Sequence, residues 1–225
     1  MRVLASADVH GRRQVYDWLI RTAFEYHVDA VVLAGDLLGC PDGFATPEDA
    51  QQHDAELLSE FLADAGLPIL YIMGNDDLVE LNSGSERVQS IHGRRVRSGM
   101  YNFVGYQYSL PFMGGTFEKP EESIGVDLAD LDGLLDSDTI FVSHSPALGI
   151  LDPGLDDTRI GSSALREFLQ RKQFRAHIHG HSHSGFGRHG LHFNVASAGL
   201  ERAMILNLET MEHLIVRLQQ PSFQA

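Results

Sequence analysis

The chain has 225 residues and a mass of 24.9 kDa, enough for one substantial core, with 43% hydrophobic and 21% charged residues. Seventeen basic and 31 acidic residues give a formal charge of −14, which weighs against broad electrostatic binding to nucleic acid. No apolar run is long enough to span a bilayer, and Met1 to Ala7 lacks the layout of a signal peptide. The only cysteine, Cys40, permits no intrachain disulfide and suits a reducing compartment, so a cytoplasmic protein without a membrane partner is expected.

Short apolar runs alternate with helical patterns, the rhythm of layered α/β folds. Val3 to Ala7 reads as a strand, followed by a helix with Val15, Trp18, Leu19, Thr22 and Tyr26 at helical spacing. Val31 to Ala34 is a second strand. A loop with Pro41, Gly43 and Pro47 leads to a helix through Leu57, Leu58, Phe61 and Leu62. Ile69 to Met73 is a third strand. From Ser98 onward, Tyr101, Phe103, Val104, Tyr106 and Tyr108 interleave with glycines and read as a hairpin region of a second sheet. A helix through Leu128, Leu131, Leu134 and Leu135 precedes a strand at Ile140 to Ser143, and another helix carries Leu165, Phe168 and Leu169. Strands are expected at Ala176 to His179, Leu191 to Ala196, Met204 to Leu208 and Leu214 to Leu218. No repeat or linker interrupts the chain, and residues 1–225 are expected to form a single domain.

Metal-capable residues fall at the ends of five of these strands. Asp8 and His10 follow the first, Asp36 the second, and Asn75, Asp76 and Asp77 the third; His144 follows Ile140 to Ser143, and His181 and His183 follow Ala176 to His179. Open α/β sheets place ligand sites at such carboxyl ends. Each group alone is weak, because Asp caps helices and a lone His is usually structural. Their repetition, mostly beside glycines that permit tight turns, points to a metal site.

In order, these groups read Asp8-Val9-His10, Gly35-Asp36, Gly74-Asn75-Asp76-Asp77, His144 and Gly180-His181-Ser182-His183. The chain thereby resembles the calcineurin-like metallophosphoesterases from Met1 to about Leu208, and its segments Ser143 to Pro146, Ile160 to Ser162 and Asn194 to Gly199 resemble the compact bacterial and archaeal branch. The resemblance implies a four-layer α/β/β/α sandwich and two divalent ions. One ion would take Asp8, His10, Asp36 and His183; the other would take Asp36, Asn75, His144 and His181. Asp36 would bridge ions about 3.5–4 Å apart, between which a bridging water becomes the attacking hydroxide. Imidazole and carboxylate without thiolate suit Mn²⁺, Fe²⁺, Zn²⁺ or Ni²⁺. Mn²⁺ is favoured. Two such ions would also reverse the local field of an acidic protein, admitting an anionic substrate.

Asp36, Asn75 and Asp76 are the expected catalytic residues. Asp76 departs from the family, which carries a proton-donating His at this position. An aspartate has an unperturbed pKa of about 3.9 and is a poor acid at neutral pH. That weighs against protein phosphatase activity and favours a phosphodiesterase acting on small-molecule phosphate esters, with a phosphomonoesterase as the alternative. A non-catalytic scaffold of the retromer-subunit type is disfavoured by the complete ligand set, and a repair nuclease by the acidic balance. His177 and His179 are expected to be structural, and His53 and His92 stay unassigned. Arg12 and Arg13 either contact phosphate or begin a solvated helix. Cys40 is expected as a small buried filler or an inert thiol, and the aromatics from Tyr101 to Phe117 as core, with one or two at a substrate mouth.

Overall fold

A strand buried on both faces reads as a nearly continuous apolar run, and β1 (Arg2–Ser6), β2 (Ala30–Ala34) and β3 (Ile69–Ile72) are of this kind. The computed structural model describes residues 1–218; residues 219–225 of the expected domain lie outside the described residues. The strands β1 to β3 run parallel and continue into a short parallel β4 (Val88–Ser90). On the other side β1 pairs antiparallel with β11 (Arg202–Asn207), which pairs antiparallel with β12 (His213–Arg217).

The second sheet repeats the plan. Its parallel centre is β6 (Tyr101–Tyr106), β7 (Thr139–Ser143), β8 (Ala176–His179) and β10 (His192–Asn194). Antiparallel edges close it, β5 (Arg95–Ser98) beside β6 and β9 (Gly187–His189) beside β10.

Alternating side chains then sort the apolar residues into three layers of core. Val3, Ala5, Val32 and Ile72 meet Phe103, Val142, Ile178 and Phe193 between the sheets. Their neighbours Leu4, Leu33 and Tyr71 face outward onto α1 (Arg13–Glu25) and α2 (Pro47–Ala63). Val104 and Phe141 face α3 (Glu121–Asp130) and α4 (Ser163–Arg171). The result is the expected α/β/β/α sandwich.

Several boundaries differ from the sequence expectation. Strands β4 and β9 were not anticipated, because three residues cannot display a period. The hairpin partner of Tyr101–Tyr106 lies before it, at Arg95–Ser98. Tyr26 caps α1 rather than continuing it. Leu134 lies beyond α3, in a single 3₁₀ turn after the helix ends at Asp130, and Leu135 follows it. In α2 the buried face holds Gln51, Asp54 and Leu58 while Leu57 is exposed. The stretch from Leu191 to Ala196 is not one strand: β10 ends at Asn194, and Ala196 pairs with Ala7 of the other sheet.

His177 and His179 are fully buried on the outer face of β8, away from the inter-sheet core. His177 packs on Phe141, and its ring nitrogens lie 2.8 Å from Ser143 Oγ and 2.9 Å from His192 Nδ1. Their expected structural role fits this position. Burial, reinforced by His179 and His192, holds the His177 pKa well below the ordinary imidazole value. Burial likewise pushes His192 down to about 4. Both are neutral when folded and free to protonate when unfolded, so stability falls as pH drops below about 6.5. Urea denaturation between pH 7 and pH 5 should show this decline. In His177→Asn the slope should shrink by up to about 1.4 kcal/mol per pH unit, the linkage of one proton; an unchanged slope would contradict the assignment.

Candidate metal centre

The loops after β1 and β2 continue their strands' pairing past the sheet: Asp8 N–H donates to Gly35 O, His10 N–H to Asp36 O, and Gly11 N–H to Leu37 O. Both chains then turn sharply. Asp8, His10, Asp36 and His181 take φ values of 55°, 50°, 54° and 65°, a left-handed conformation that Asp and His tolerate better than most residues. Four strained residues in one place mark a site where geometry outweighs local comfort. Gly35, at φ 93°, could carry no side chain, since a Cβ would sit 2.3 Å from His144 Nδ1.

Asp8 is fully buried, and its carboxylate accepts the His181 N–H at 3.1 Å and faces His183 Nε2 at 3.3 Å. Asp36 accepts the Asp76 N–H at 2.9 Å and faces His144 Nε2 at 3.3 Å. His144 comes from the second sheet, yet its Nδ1 lies 2.9 Å from Ala34 O of the first. A proton held there leaves Nε2 turned toward Asp36 and toward Asn75 Oδ1, 2.9 Å away. The Asn75 amide donates one N–H to Asp76 Oδ1 at 2.8 Å.

All seven expected ligands therefore converge. The donor atoms of Asp8, His10 and His183 form one cluster, those of Asp36, His144 and His181 another, and His10, Asp36 and Asp76 a third that joins them; within each cluster all atoms lie within 4.8 Å. Two carboxylates, four imidazoles and a carboxamide suit a borderline or hard divalent ion.

The electrostatics favour charge at Asp36. Burial alone would raise its pKa, but the charge and hydrogen bond of His144, then His10 and the Asp76 N–H, hold it below the carboxylate range. For His144 burial works downward, and Asp36 and Asp8 overcome it and raise the pKa. His181 is pushed down to about 4 by burial and by His144, so its ring is neutral and ready to ligate. The Asp8 hydrogen bond raises His183.

Residues that the sequence reading passed over hold these loops. The buried Asp77 carboxylate accepts Leu37 N–H at 2.9 Å and Leu38 and Gly74 N–H at 2.8 Å, tying the Asp36 loop to the Asn75 loop. Gln51 grips the Asn75 loop from α2, donating to Asp76 O at 2.7 Å and accepting Leu78 N–H at 2.6 Å. Asp54 accepts Gly39 N–H at 2.7 Å. Arg202 donates to His183 O at 2.7 Å and to Ala196 O at 2.9 Å. Only Asp77 had a signal, its place in the Gly74 to Asp77 run.

Arg12 caps α1 and Arg13 begins it, as the helix-start alternative expected, but both side chains are engaged with protein groups rather than left to solvent. Arg12 donates to the Val9 and Asp8 carbonyls, and Arg13 pairs with Asp54 at 2.9 Å. His53 is exposed against Phe44, and His92 packs between Tyr106 and Tyr108. Neither lines the clefts at the site. Cys40 is exposed rather than buried, in a cleft beside His10 and Asp76. A larger depression of about 860 Å³ beside Glu80 to Arg94 touches none of the candidate ligands.

Fold and site together define a metal-dependent phosphoester hydrolase scaffold. Residues 1–185 match the calcineurin-like phosphoesterases, and the chain belongs to that family. Members are phosphoesterase hydrolases that use divalent metals. No curated protein matches the sequence. Among solved structures, TT1561 of Thermus thermophilus is similar, at 17% identity and a TM-score of 0.72 over 96% of this chain and 98% of its own. A dimetal phosphatase from Danio rerio superposes at 0.63 with 14% identity, over 96% and 98%. An archaeal phosphodiesterase superposes at 0.50 with 12% identity, over 97% and 100%. Likeness at these identities shows the shared fold. Among the described residues, no helix is long and apolar enough to cross a membrane.

Because a proton on His144 Nε2 must leave before a cation can bind there, metal uptake should release about one proton near pH 7, and affinity should rise with pH. Titration calorimetry in two buffers of different ionisation enthalpy measures this. Heats independent of the buffer would contradict it.

Proposed function

We propose that the chain is a dinuclear metal-dependent phosphodiesterase that hydrolyses small phosphate esters. The observation that carries this reading is the linking of the Asp8–His10–His183 and Asp36–His144–His181 clusters through the third, which shares His10 with one and Asp36 with the other. Asp8, His10, Asp36 and His183 would hold one divalent ion, and Asp36, Asn75, His144 and His181 the other. Two such ions supply Lewis acidity toward phosphoryl oxygens and an activated water nucleophile at neutral pH. Mn²⁺ is the proposed ion, with Fe²⁺, Zn²⁺ or Ni²⁺ as alternatives of the same ligand preference. The single thiol, Cys40, accords with a cytoplasmic protein, and residues 1–225 with one functional unit.

The preference for diesters rests on Asp76. Its side chain stands about half exposed in the cleft, 3.6 Å from His10 Nδ1. Burial, then Asp36, raise its pKa. Nearby dications would pull it back toward the ionised form. An anionic Asp76 donates no proton to a leaving oxygen, and it repels a dianionic monoester more than a monoanionic diester. Its carboxylate instead orients the Asn75 amide, whose oxygen is turned to His144.

The metal-loaded protein should hydrolyse aryl phosphodiesters, lose activity to a chelator and regain it with Mn²⁺. Full activity after verified metal removal would sink the reading. Without a general acid, rates should fall steeply as the leaving group becomes more basic, and Asp76→His should flatten the series by up to about 10²–10⁴-fold for alkyl esters. A flat series in the wild type would show that another group donates the proton.

A further inference from the structure

Two clefts open on the metal cluster, and both reach Asn75 and Asp76. The first, of about 290 Å³, runs from Asp36, His181 and His183 to a wall of Phe112, Pro153, Leu155 and Ile160. Phe112 is 68% exposed and Leu155 83% exposed, so two large apolar side chains stand in water at the mouth of a charged site. Such exposure beside a polar centre marks a binding surface.

Both walls are fastened rather than loose. The Phe112, Met113 and Gly114 N–H groups donate to the Glu118 carboxylate at 2.9, 2.9 and 2.8 Å. The same loop lies against the metal loop, since a Cβ on Gly115 would come within 2.6 Å of Asn75 O. Opposite, Ser182, between the ligands His181 and His183, donates from Oγ to Pro153 O at 2.6 Å. The backbone that carries Phe112 and Leu155 is thus tied to the loops that carry Asn75, His181 and His183. Among the described residues no lysine or arginine lines either cleft, so these linings offer no cationic side chain to a second phosphate or a carboxylate.

We propose that the first cleft is a subsite for an uncharged aromatic ester group of the phosphodiester, with Phe112 and Leu155 determining specificity and Glu118 positioning Phe112. This rests on the phosphoesterase reading of the metal site. The second cleft, which holds Met113, takes the other ester group. Substrates with further anionic groups are disfavoured.

The test measures binding, so that it does not depend on turnover. Diphenyl phosphate and dimethyl phosphate are compared on the Mn²⁺-loaded protein by phosphorus NMR line broadening. The wild type should bind the diphenyl ester about tenfold tighter, and Phe112→Ala and Leu155→Ala should each reduce that ratio by about fivefold. Glu118→Gln should reduce it as well, through the freed loop. Val126→Ala, which removes an exposed apolar residue of α3 outside the clefts, should keep the ratio. Equal binding of the two esters by the wild type, or an unchanged ratio in Phe112→Ala and Leu155→Ala, would overturn the proposal. Failure of inorganic phosphate and dimethyl phosphate alike to bind would remove the metal-site reading, and the subsite with it.

Discussion

A carboxylate buried between two sheets must be partnered or must lose its charge, and Asp36 is that carboxylate here. Only 3% exposed, it has His144 Nε2 on one oxygen and the Asp76 N–H on the other. Each partner belongs to a different strand end, so keeping Asp36 ionised fixes the loops after β3 and β7 together. His144 extends the constraint, because its Nδ1 returns to Ala34 O at the end of β2. Two sheets that share only apolar packing could slide past one another; this polar seam fixes their register at one end.

The chemistry follows from the same constraint. Parallel strands bring their carboxyl ends to one edge, and stacking two such sheets doubles the number of loops that meet there. Asp8 and Asp36 arrive from the first sheet, and His144, His181 and His183 from the second. His144 stands between Asp36 and the Ala34 carbonyl, so donors from the two sheets are held together. Asp77, Gln51 and Arg202 then hold the backbone of the ligand loops from behind, as supporting shells around metal sites commonly do.

Much of this was legible in the sequence because each ligand follows an apolar run. A strand announces itself by composition, and the residue just past it is placed at the sheet edge by topology alone. The roles of Gln51 and Asp54 were not legible. They sit mid-helix, where they look like surface polar residues, and the loop groups they hold lie 15 to 27 positions away. The same holds for Arg12, which donates to the Val9 and Asp8 carbonyls, and for Arg13, which pairs with Asp54 of α2; neither contact has a signature in spacing. Strands β4 and β9 were too short to show alternation. Phe112 was foreseen only as one of several aromatics, since its exposure depends on the Glu118 turn rather than on periodicity.

Asp36 is proposed to serve two cations at once. The most direct measurement is the metal content and diester hydrolysis of Asp36→Ala against the wild type, after reconstitution with Mn²⁺ and removal of excess ion. Two ions per wild-type chain, loss of at least one in the variant, and no measurable hydrolysis are expected. A variant that keeps both ions and wild-type turnover would contradict it.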